Sequence, residues 1–210
     1  MRPIVFDCDG VLVDSEQLAW SAWRQVLTRY DIPLTPEDIA LLTGRTDRDA
    51  HAHFSARGDL PDHASFWDEL SEVTYRLFDK HLLAFEDAAD TLDALHSRGA
   101  VMAVASSSPR ERLDRSLAAT GLRTYFVFVV GGDEVAAGKP APDLFLAAAT
   151  GLGVEPETCW AVEDAPVGIA AAQAAGMTVI AVERGQYGLE DLRDADLVVP
   201  RLTPAPFLGT

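Results

Sequence analysis

Short apolar runs that stop at a polar residue or a glycine recur along the chain. Six of them have the length and composition of strands, and alanine-rich segments with helical spacing separate the later ones. The strand-like runs cover residues 3–6, 101–105, 125–130, 159–162, 177–182 and 197–199, and the predicted helices cover residues 85–98, 110–120, 142–150 and 166–175. Strands that are apolar throughout and alternate with helices are typical of a parallel sheet covered on both faces. The pattern therefore predicts an α/β fold with three layers.

The interval between the first two predicted strands is much longer than a single crossover helix needs. Within it, Thr35 followed by Pro36 is a typical helix start. Four large apolar side chains are predicted to lie on one helix face and to pack in a core: Trp20, Trp23, Val26 and Leu27. We therefore expect a helical domain of residues 15–81, inserted into an α/β domain made of residues 1–14 and 82–210.

Composition and charge narrow the range of partners. Of the 210 residues, 48% are hydrophobic and 24% are charged, which is enough for a packed core, and the formal net charge is −16. Such acidity disfavours a nucleic acid or an anionic membrane surface as partner. The chain has no apolar run long enough to span a membrane, and its N-terminal residues do not resemble a signal peptide. With Cys8 and Cys159 expected to be buried, reduced thiols, we expect a cytoplasmic protein, as a monomer or a weak dimer.

Polar side chains stand where three of the predicted strands end. Asp7 and Asp9 follow the first strand, Ser106 follows the second, and Glu163 and Asp164 follow the fourth. In open α/β sheets, ligands bind outside the carboxyl ends of the strands. Four carboxylates at one edge would repel each other, by about 4 kcal/mol for two unit charges ~4 Å apart at an effective dielectric near 20. A cation is therefore expected there, and an all-oxygen ligand set favours Mg²⁺ over zinc.

Four segments resemble the sequence motifs of the haloacid dehalogenase superfamily, and they occur in the family's order. They are residues 5–15 (VFDCDGVLVDS), 104–108 (VASSS), 138–143 (GKPAPD) and 162–177, which begins VEDAPVGIAA. The long helical insertion after the first motif resembles the cap domain of the subfamily that includes β-phosphoglucomutase and phosphoglycolate phosphatase. The resemblance implies a Rossmann-like three-layer parallel-sheet core with an inserted α-helical cap domain.

The resemblance also implies catalytic roles. Asp7 would be the nucleophile that forms an aspartyl-phosphate, and Asp9 would protonate the leaving oxygen and then accept a proton from the attacking water. Ser106, with Ser107 beside it, would bind phosphoryl oxygens; Ser106 could also cap the helix that follows, and the two roles are compatible. Lys139, one of only two lysines in the chain, would balance charge on Asp7 and the phosphoryl group.

A second set of implied roles concerns the metal ion and the cap. Asp7, Asp164, Glu163 and the backbone carbonyl of Asp9 would hold Mg²⁺, with Glu163 acting directly or through water. The cap would supply substrate contacts from three consecutive residues, Gly44, Arg45 and Thr46; the alternative is an ordinary charged surface loop.

Departures from the family pattern favour one of its reactions. Dehalogenases lack an aspartate at the position of Asp9, and no lysine precedes Lys80 to form the Schiff base that phosphonatases use. Ala19 and Asp47 stand where a mutase carries its cap histidine and cap arginine, although Arg45 or Arg48 could substitute for that arginine. We therefore predict a Mg²⁺-dependent phosphoric monoester hydrolase for a small phosphorylated metabolite, such as a sugar phosphate. A β-phosphoglucomutase-type mutase and a non-catalytic, metabolite-binding regulator on the same fold remain alternatives.

Overall fold

A computed structural model of the protein describes residues 1–42 and 47–208. The chain divides into two compact units, one made of Met1–Asp14 with Leu82–Thr210 and the other of Ser15–His81. We call them the sheet unit and the helical unit. None of the helices in the described parts of the chain combines the length and the apolar character needed to cross a bilayer.

The sheet unit is built on six parallel strands. They are β1 (Ile4–Phe6), β2 (Met102–Ala105), β3 (Phe128–Val130), β4 (Trp160–Glu163), β5 (Thr178–Val182) and β6 (Leu197–Val199). Their order across the sheet is β3-β2-β1-β4-β5-β6. The first strand in sequence, β1, thus lies in the middle of the sheet, between β2 and β4. The chain adds strands on one side of β1 up to β3 and then continues on the other side from β4. This α/β architecture confirms the fold class predicted from the sequence, since a sheet apolar on both faces needs helices on both.

Helices cover the strands of the sheet unit, and their bounds lie within a few residues of the predicted ones. They are α5 (Glu86–His96), α6 (Arg110–Ala119), α7 (Asp143–Leu152) and α8 (Pro166–Ala174). The prediction that the third strand begins at Tyr125 is wrong, because Leu122–Tyr125 form a 3₁₀ turn and β3 begins at Phe128. Gly121 introduces this turn in the left-handed conformation, with φ +71°. Cys8 and Cys159 are buried free thiols, as expected.

The helical unit contains α1 (Glu16–Thr28), α2 (Pro36–Leu42), α3 (Asp47–Ser55) and α4 (His63–His81). Thr35 caps α2 as predicted: its Oγ1 accepts a hydrogen bond from the Asp38 amide at 3.2 Å, and its own amide donates to Asp38 Oδ2 at 2.9 Å. Trp23, Val26 and Leu27 are buried in the core of this unit, and Trp20 packs against them while partly exposed. The predicted apolar helix face is therefore a packing face.

Candidate active site

Two neighbouring strands bring three carboxylates together. β1 and β4 pair in parallel, and the amide of Asp7 donates to the carbonyl of Val162 at 2.9 Å, so Asp7 leaves the sheet beside the end of β4. One carboxylate oxygen from each of Asp7, Glu163 and Asp164 lies within 4.8 Å of the others. All three residues are buried. Within residues 1–42 and 47–208, this is the one group of three such side chains able to hold a metal ion.

A single ammonium group is buried among these carboxylates. Lys139 Nζ donates to Asp7 Oδ1 and to Glu163 Oε1, the second at 2.5 Å, and it lies 5.1 Å from the centre of the Phe145 ring. Burial by itself would lower the pKa of Lys139, but the charges of Asp7 and Glu163 outweigh it and raise that pKa. The lysine is therefore held as a cation, and it joins the end of β1 to the end of β4.

The cluster carries more negative than positive charge. Three carboxylates share one buried ammonium, and burial raises the pKa of Asp7 to about 8 even though Lys139 acts in the opposite direction. Burial, followed by the charges of Glu163 and Asp7, raises the pKa of Asp164 well above its usual range. Both shifts are those of carboxylates that lack a sufficient counter-charge. A divalent cation bound by these oxygens would supply it, and the all-oxygen donor set suits a hard cation.

Two glycines allow the carboxylates to approach the backbone closely. A Cβ at Gly10, which has φ +82°, would overlap Asp164 Oδ2, and a Cβ at Gly168 would overlap the Glu163 carboxylate. Glu163 Oε2 also accepts hydrogen bonds from the amides of Asp164 at 3.0 Å and Ala165 at 3.3 Å. Because both oxygens of Glu163 have protein donors, this residue fixes the turn that carries Asp164 as well as the position of Lys139.

The side chain of Asp9 has different neighbours. Its Oδ2 accepts a hydrogen bond from Ser108 Oγ at 2.7 Å, and its Oδ1 is 3.4 Å from a guanidinium nitrogen of Arg112. The spacing of two residues between Asp7 and Asp9 predicts one shared face for an extended strand. This prediction is wrong, because β1 ends at Phe6 and Asp9 lies in the turn of residues 8–13. About 30% of the Asp9 side chain is exposed, so it is more accessible than the three clustered carboxylates.

The two predicted phosphate-binding serines after β2 differ in burial and in hydrogen bonding. Ser106 is buried, its amide donates to the carbonyl of Val130 at 3.1 Å, and its Oγ accepts from the Ser108 amide at 3.1 Å. Ser106 therefore closes the turn that leads into α6, but the capping interpretation is wrong, because the N-cap residue of α6 is Pro109 and no side chain caps the helix. Ser107 is exposed at the same edge of the sheet. The three predicted cap contacts, Gly44, Arg45 and Thr46, lie outside the described residues.

Two partners of Asp9, Ser108 and Arg112, are not among the predicted site residues. Ser108 ends the run of three serines after β2, so its position beside the predicted site was a usable signal. Arg112 is the third residue of α6, and nothing in the sequence separates it from the other arginines of that helix, Arg110 and Arg115. Its role depends on the direction in which α6 leaves the sheet, which the sequence pattern does not specify.

Comparison with known proteins places this site in a family. Residues 4–182 match the family described as haloacid dehalogenase-like hydrolase. Fructose-1-phosphate phosphatase YqaB of Escherichia coli is 37% identical over 181 residues, which cover 85% of this chain and 95% of that protein. The phosphorylated carbohydrates phosphatase of Thermotoga maritima is 32% identical over 179 residues, with 84% and 82% covered. These names agree with the enzyme class predicted from the sequence, the phosphoric monoester hydrolases.

The fold comparison agrees with the sequence comparison. The crystal structure of CbbY from Rhodobacter sphaeroides in complex with phosphate matches with a TM-score of 0.85 and 26% identity, over 96% of this chain and 95% of that one. The family match and the structural match each cover most of this chain. The chain therefore belongs to the haloacid dehalogenase-like hydrolase family.

Proposed function

We propose that this protein is a Mg²⁺-dependent phosphatase that hydrolyses a small phosphorylated metabolite, such as a sugar phosphate, through an aspartyl-phosphate on Asp7. The observation that carries the proposal is the buried Asp7 carboxylate, paired with Lys139 and clustered with Glu163 and Asp164. The relatives named as phosphatases of fructose 1-phosphate and of phosphorylated carbohydrates support the substrate class.

In the first half of the proposed reaction, a carboxylate oxygen of Asp7 attacks phosphorus. The bond from phosphorus to the ester oxygen breaks, and Asp9 gives its proton to the leaving oxygen. In the second half, Asp9 takes a proton from a water molecule, whose oxygen attacks phosphorus and releases Asp7 with inorganic phosphate. Asp9 is suited to this double task because its side chain is partly exposed and is oriented by the hydrogen bond from Ser108 Oγ to its Oδ2.

Lys139 contributes to both halves by staying charged. Its ammonium group contacts Asp7 directly, so it orients the attacking carboxylate and offsets negative charge as the phosphoryl group arrives. Ser106 and Ser107, at the end of the neighbouring strand β2, are proposed to bind phosphoryl oxygens. Three residues of the helical insertion are also proposed to contact the substrate: Gly44, Arg45 and Thr46.

Magnesium is proposed as the cation because its ligands would all be oxygens. Asp7, Asp164 and Glu163, with the backbone carbonyl of Asp9, would hold it, and when bound it would supply positive charge to the phosphoryl oxygens. Glu163 already has protein donors on both oxygens. This favours contact of Glu163 with the cation through water over direct ligation.

Hydrolysis is preferred to phosphate transfer between two positions of one sugar. Ala19, in α1, has a methyl side chain that cannot form the hydrogen bonds of the histidine expected there in a mutase. The substrate test therefore measures phosphate release and sugar-phosphate isomerisation side by side.

The test is a hydrolysis assay over a panel of sugar phosphates, polyol phosphates and p-nitrophenyl phosphate, with β-glucose 1-phosphate also followed for conversion to glucose 6-phosphate. We expect Mg²⁺-dependent phosphate release from at least one sugar or polyol phosphate, complete loss with EDTA, and recovery with excess Mg²⁺. Isomerisation without phosphate release would assign the protein as a mutase. Tight binding of a metabolite without turnover would instead make it a regulator.

Asp9→Asn should separate substrates by their leaving group. An amide cannot donate the proton that an alkyl oxygen needs, so hydrolysis of a sugar phosphate should fall by about 10²–10⁴-fold. The loss for p-nitrophenyl phosphate should be much smaller, because nitrophenolate leaves without protonation. The measurement is kcat/KM for both substrates with the same enzyme preparation, and equal losses would contradict the acid role.

A further inference from the structure

Arg184 lies just beyond β5 and is almost entirely covered, with 12% of its side chain exposed. Its Nε donates to the carbonyl of Gly10 at 3.3 Å and its Nη2 to the carbonyl of Val11 at 3.0 Å. These carbonyls belong to the turn of residues 8–13, which carries Asp9 immediately before Gly10. A cation from the far side of β4 in the sheet order thus contacts the backbone next to the proposed general acid.

The same guanidinium is anchored on its other side. Arg184 Nη1 donates to Asp87 Oδ2 at 2.9 Å, and that oxygen also accepts from the Leu202 amide at 2.8 Å. The guanidinium carbon lies 3.9 Å from the centre of the Phe85 ring. Burial works against ionisation of Asp87, but the hydrogen bond from Arg184 and the one from Leu202 outweigh it and lower the pKa of Asp87. Asp87 is thus a fixed anionic anchor for the arginine.

The contacts of Arg184 span both segments that link the sheet unit to the helical unit. In the segment that precedes the helical unit, hydrogen bonds close the turn of residues 8–13: the amides of Leu12 and Val13 both donate to the carbonyl of Cys8, at 2.9 and 3.1 Å. In the segment that follows the helical unit, the amide of Phe85 donates to the carbonyl of Leu12 at 3.0 Å. Arg184 bonds to the outgoing turn and stacks on the returning segment, so it ties the two together.

We propose that Arg184 is a positioning residue that holds the turn of residues 8–13, and with it Asp9, by bridging the carbonyls of Gly10 and Val11 to Asp87. The inference rests on the proposed function in assigning Asp9 as the acid. The backbone has little freedom here, because Gly10 packs directly against Asp164 with no room for a side chain. A small shift of the turn would therefore move Asp9 relative to the carboxylate cluster.

Arginine is suited to this bridge in a way that lysine is not. Three different guanidinium nitrogens point to three different oxygens, and the flat face stacks on a ring. An ammonium group has a point-like charge and no flat face, so Arg184→Lys keeps the charge and loses the bridge. This makes Arg184→Lys the informative variant, with Arg184→Gln and Asp87→Asn as companions. Arg193→Lys is the matched control, since that arginine forms an ion pair on the exposed surface with Glu190.

The first measurement is kcat/KM for a sugar phosphate and for p-nitrophenyl phosphate. A misplaced acid should cost Arg184→Lys about 100-fold on the sugar phosphate, with only a few-fold loss on the nitrophenyl ester. Asp87→Asn should show the same selectivity, and Arg193→Lys should match the parent enzyme on both substrates. Equal losses on the two substrates in Arg184→Lys would overturn the positioning role, because a purely structural defect lowers both activities alike.

The second measurement is amide hydrogen exchange, which does not require activity. The amides of Gly10, Leu12 and Val13 are hydrogen-bonded within the turn, and they should exchange at least about tenfold faster in Arg184→Gln. The amides of α7 serve as the reference for the sheet unit and should be unchanged. An unchanged turn, or a turn that accelerates only in step with α7, would overturn the inference. If the parent protein hydrolyses no phosphate ester, the proposed function fails, and hydrogen exchange still decides whether Arg184 orders the turn.

Discussion

Replacing Asp7 with asparagine is expected to abolish phosphate-ester hydrolysis and to leave the fold intact. An amide cannot attack phosphorus, so turnover should fall by on the order of 10⁴-fold or more, for alkyl and nitrophenyl esters alike. The substitution replaces a buried carboxyl group, whose pKa is raised to about 8, with a neutral amide of the same shape. We therefore expect no loss of thermal stability in EDTA. The measurements are single-turnover and steady-state phosphate release, together with a thermal melt.

Asp14→Asn is the matched control for this experiment. Asp14 lies seven positions further on, in the same unit, and its side chain is exposed. The same chemical change there should leave activity within about twofold of the parent enzyme, as for most surface substitutions. Substantial turnover by Asp7→Asn would contradict the nucleophile assignment, and so would a mass spectrum that shows phosphate trapped on another residue.

Replacing Lys139 with methionine is the second change with a large expected effect, and it acts on both activity and stability. Methionine matches the length of the side chain but leaves Asp7 and Glu163 without their shared cation. Removing one partner of a buried ion pair typically costs about 3–5 kcal/mol in the free energy of unfolding. Turnover should fall by at least about a thousandfold, because the attacking carboxylate loses its orientation and its counter-charge.

The stability loss should depend on pH in a defined direction. Without Lys139, the pKa of Asp7 should rise above the value of about 8 that burial already imposes. The folded variant then holds a proton that the unfolded chain releases near its ordinary pKa, so the free energy of unfolding falls as pH rises from about 4. The parent shares this decline up to about pH 8, because Asp7 is protonated in both folded proteins below that pH. In EDTA, the destabilisation of Lys139→Met relative to the parent should therefore be larger at about pH 9.5, where Asp7 of the parent ionises beside Lys139, than at about pH 6.

Lys80→Met is the control for this second experiment, since Lys80 is the only other lysine in the chain and is exposed. Lys80→Met should change the free energy of unfolding by no more than about 0.5 kcal/mol, and it should leave kcat/KM close to that of the parent enzyme. A Lys139→Met protein as stable as Lys80→Met at both pH values would contradict the view that the ammonium neutralises a buried acidic cluster.

The sequence pattern predicted the sheet well for a definite physical reason. Strands buried on both faces do not alternate between apolar and polar residues, so each apolar run ends where the chain leaves the sheet. The ends of these runs therefore mark the edge of the sheet at which ligands bind. That is why the sequence pattern predicts that Asp7, Glu163 and Asp164 lie at the same edge of the sheet. The prediction failed at the start of the third strand. Tyr125 is an aromatic residue of a kind common in strands, but it belongs to a 3₁₀ turn.

The position of the Asp9 side chain could not be predicted in the same way. The rule that alternate residues share a face holds only while the chain is extended, and β1 ends one residue before Asp7. Beyond that point, the turn is set by contacts with distant segments, including Ser108 and Arg184. The run of serines after β2 was a usable signal for Ser108, but nothing local in the sequence marks Arg184 as a contact of this turn.

The sequence by itself determined the α/β class, the helical insertion, the four motifs and the carboxylates at the strand ends. These follow from local periodicity and from spacing along the chain. Only the tertiary structure decided that Lys139 lies between Asp7 and Glu163, and that Arg184 bridges Asp87 to the turn carrying Asp9. The physical reason is that both arrangements join residues distant in sequence through buried charges. The partner of a buried charge is selected by how the elements pack, and not by the residues next to it in the chain.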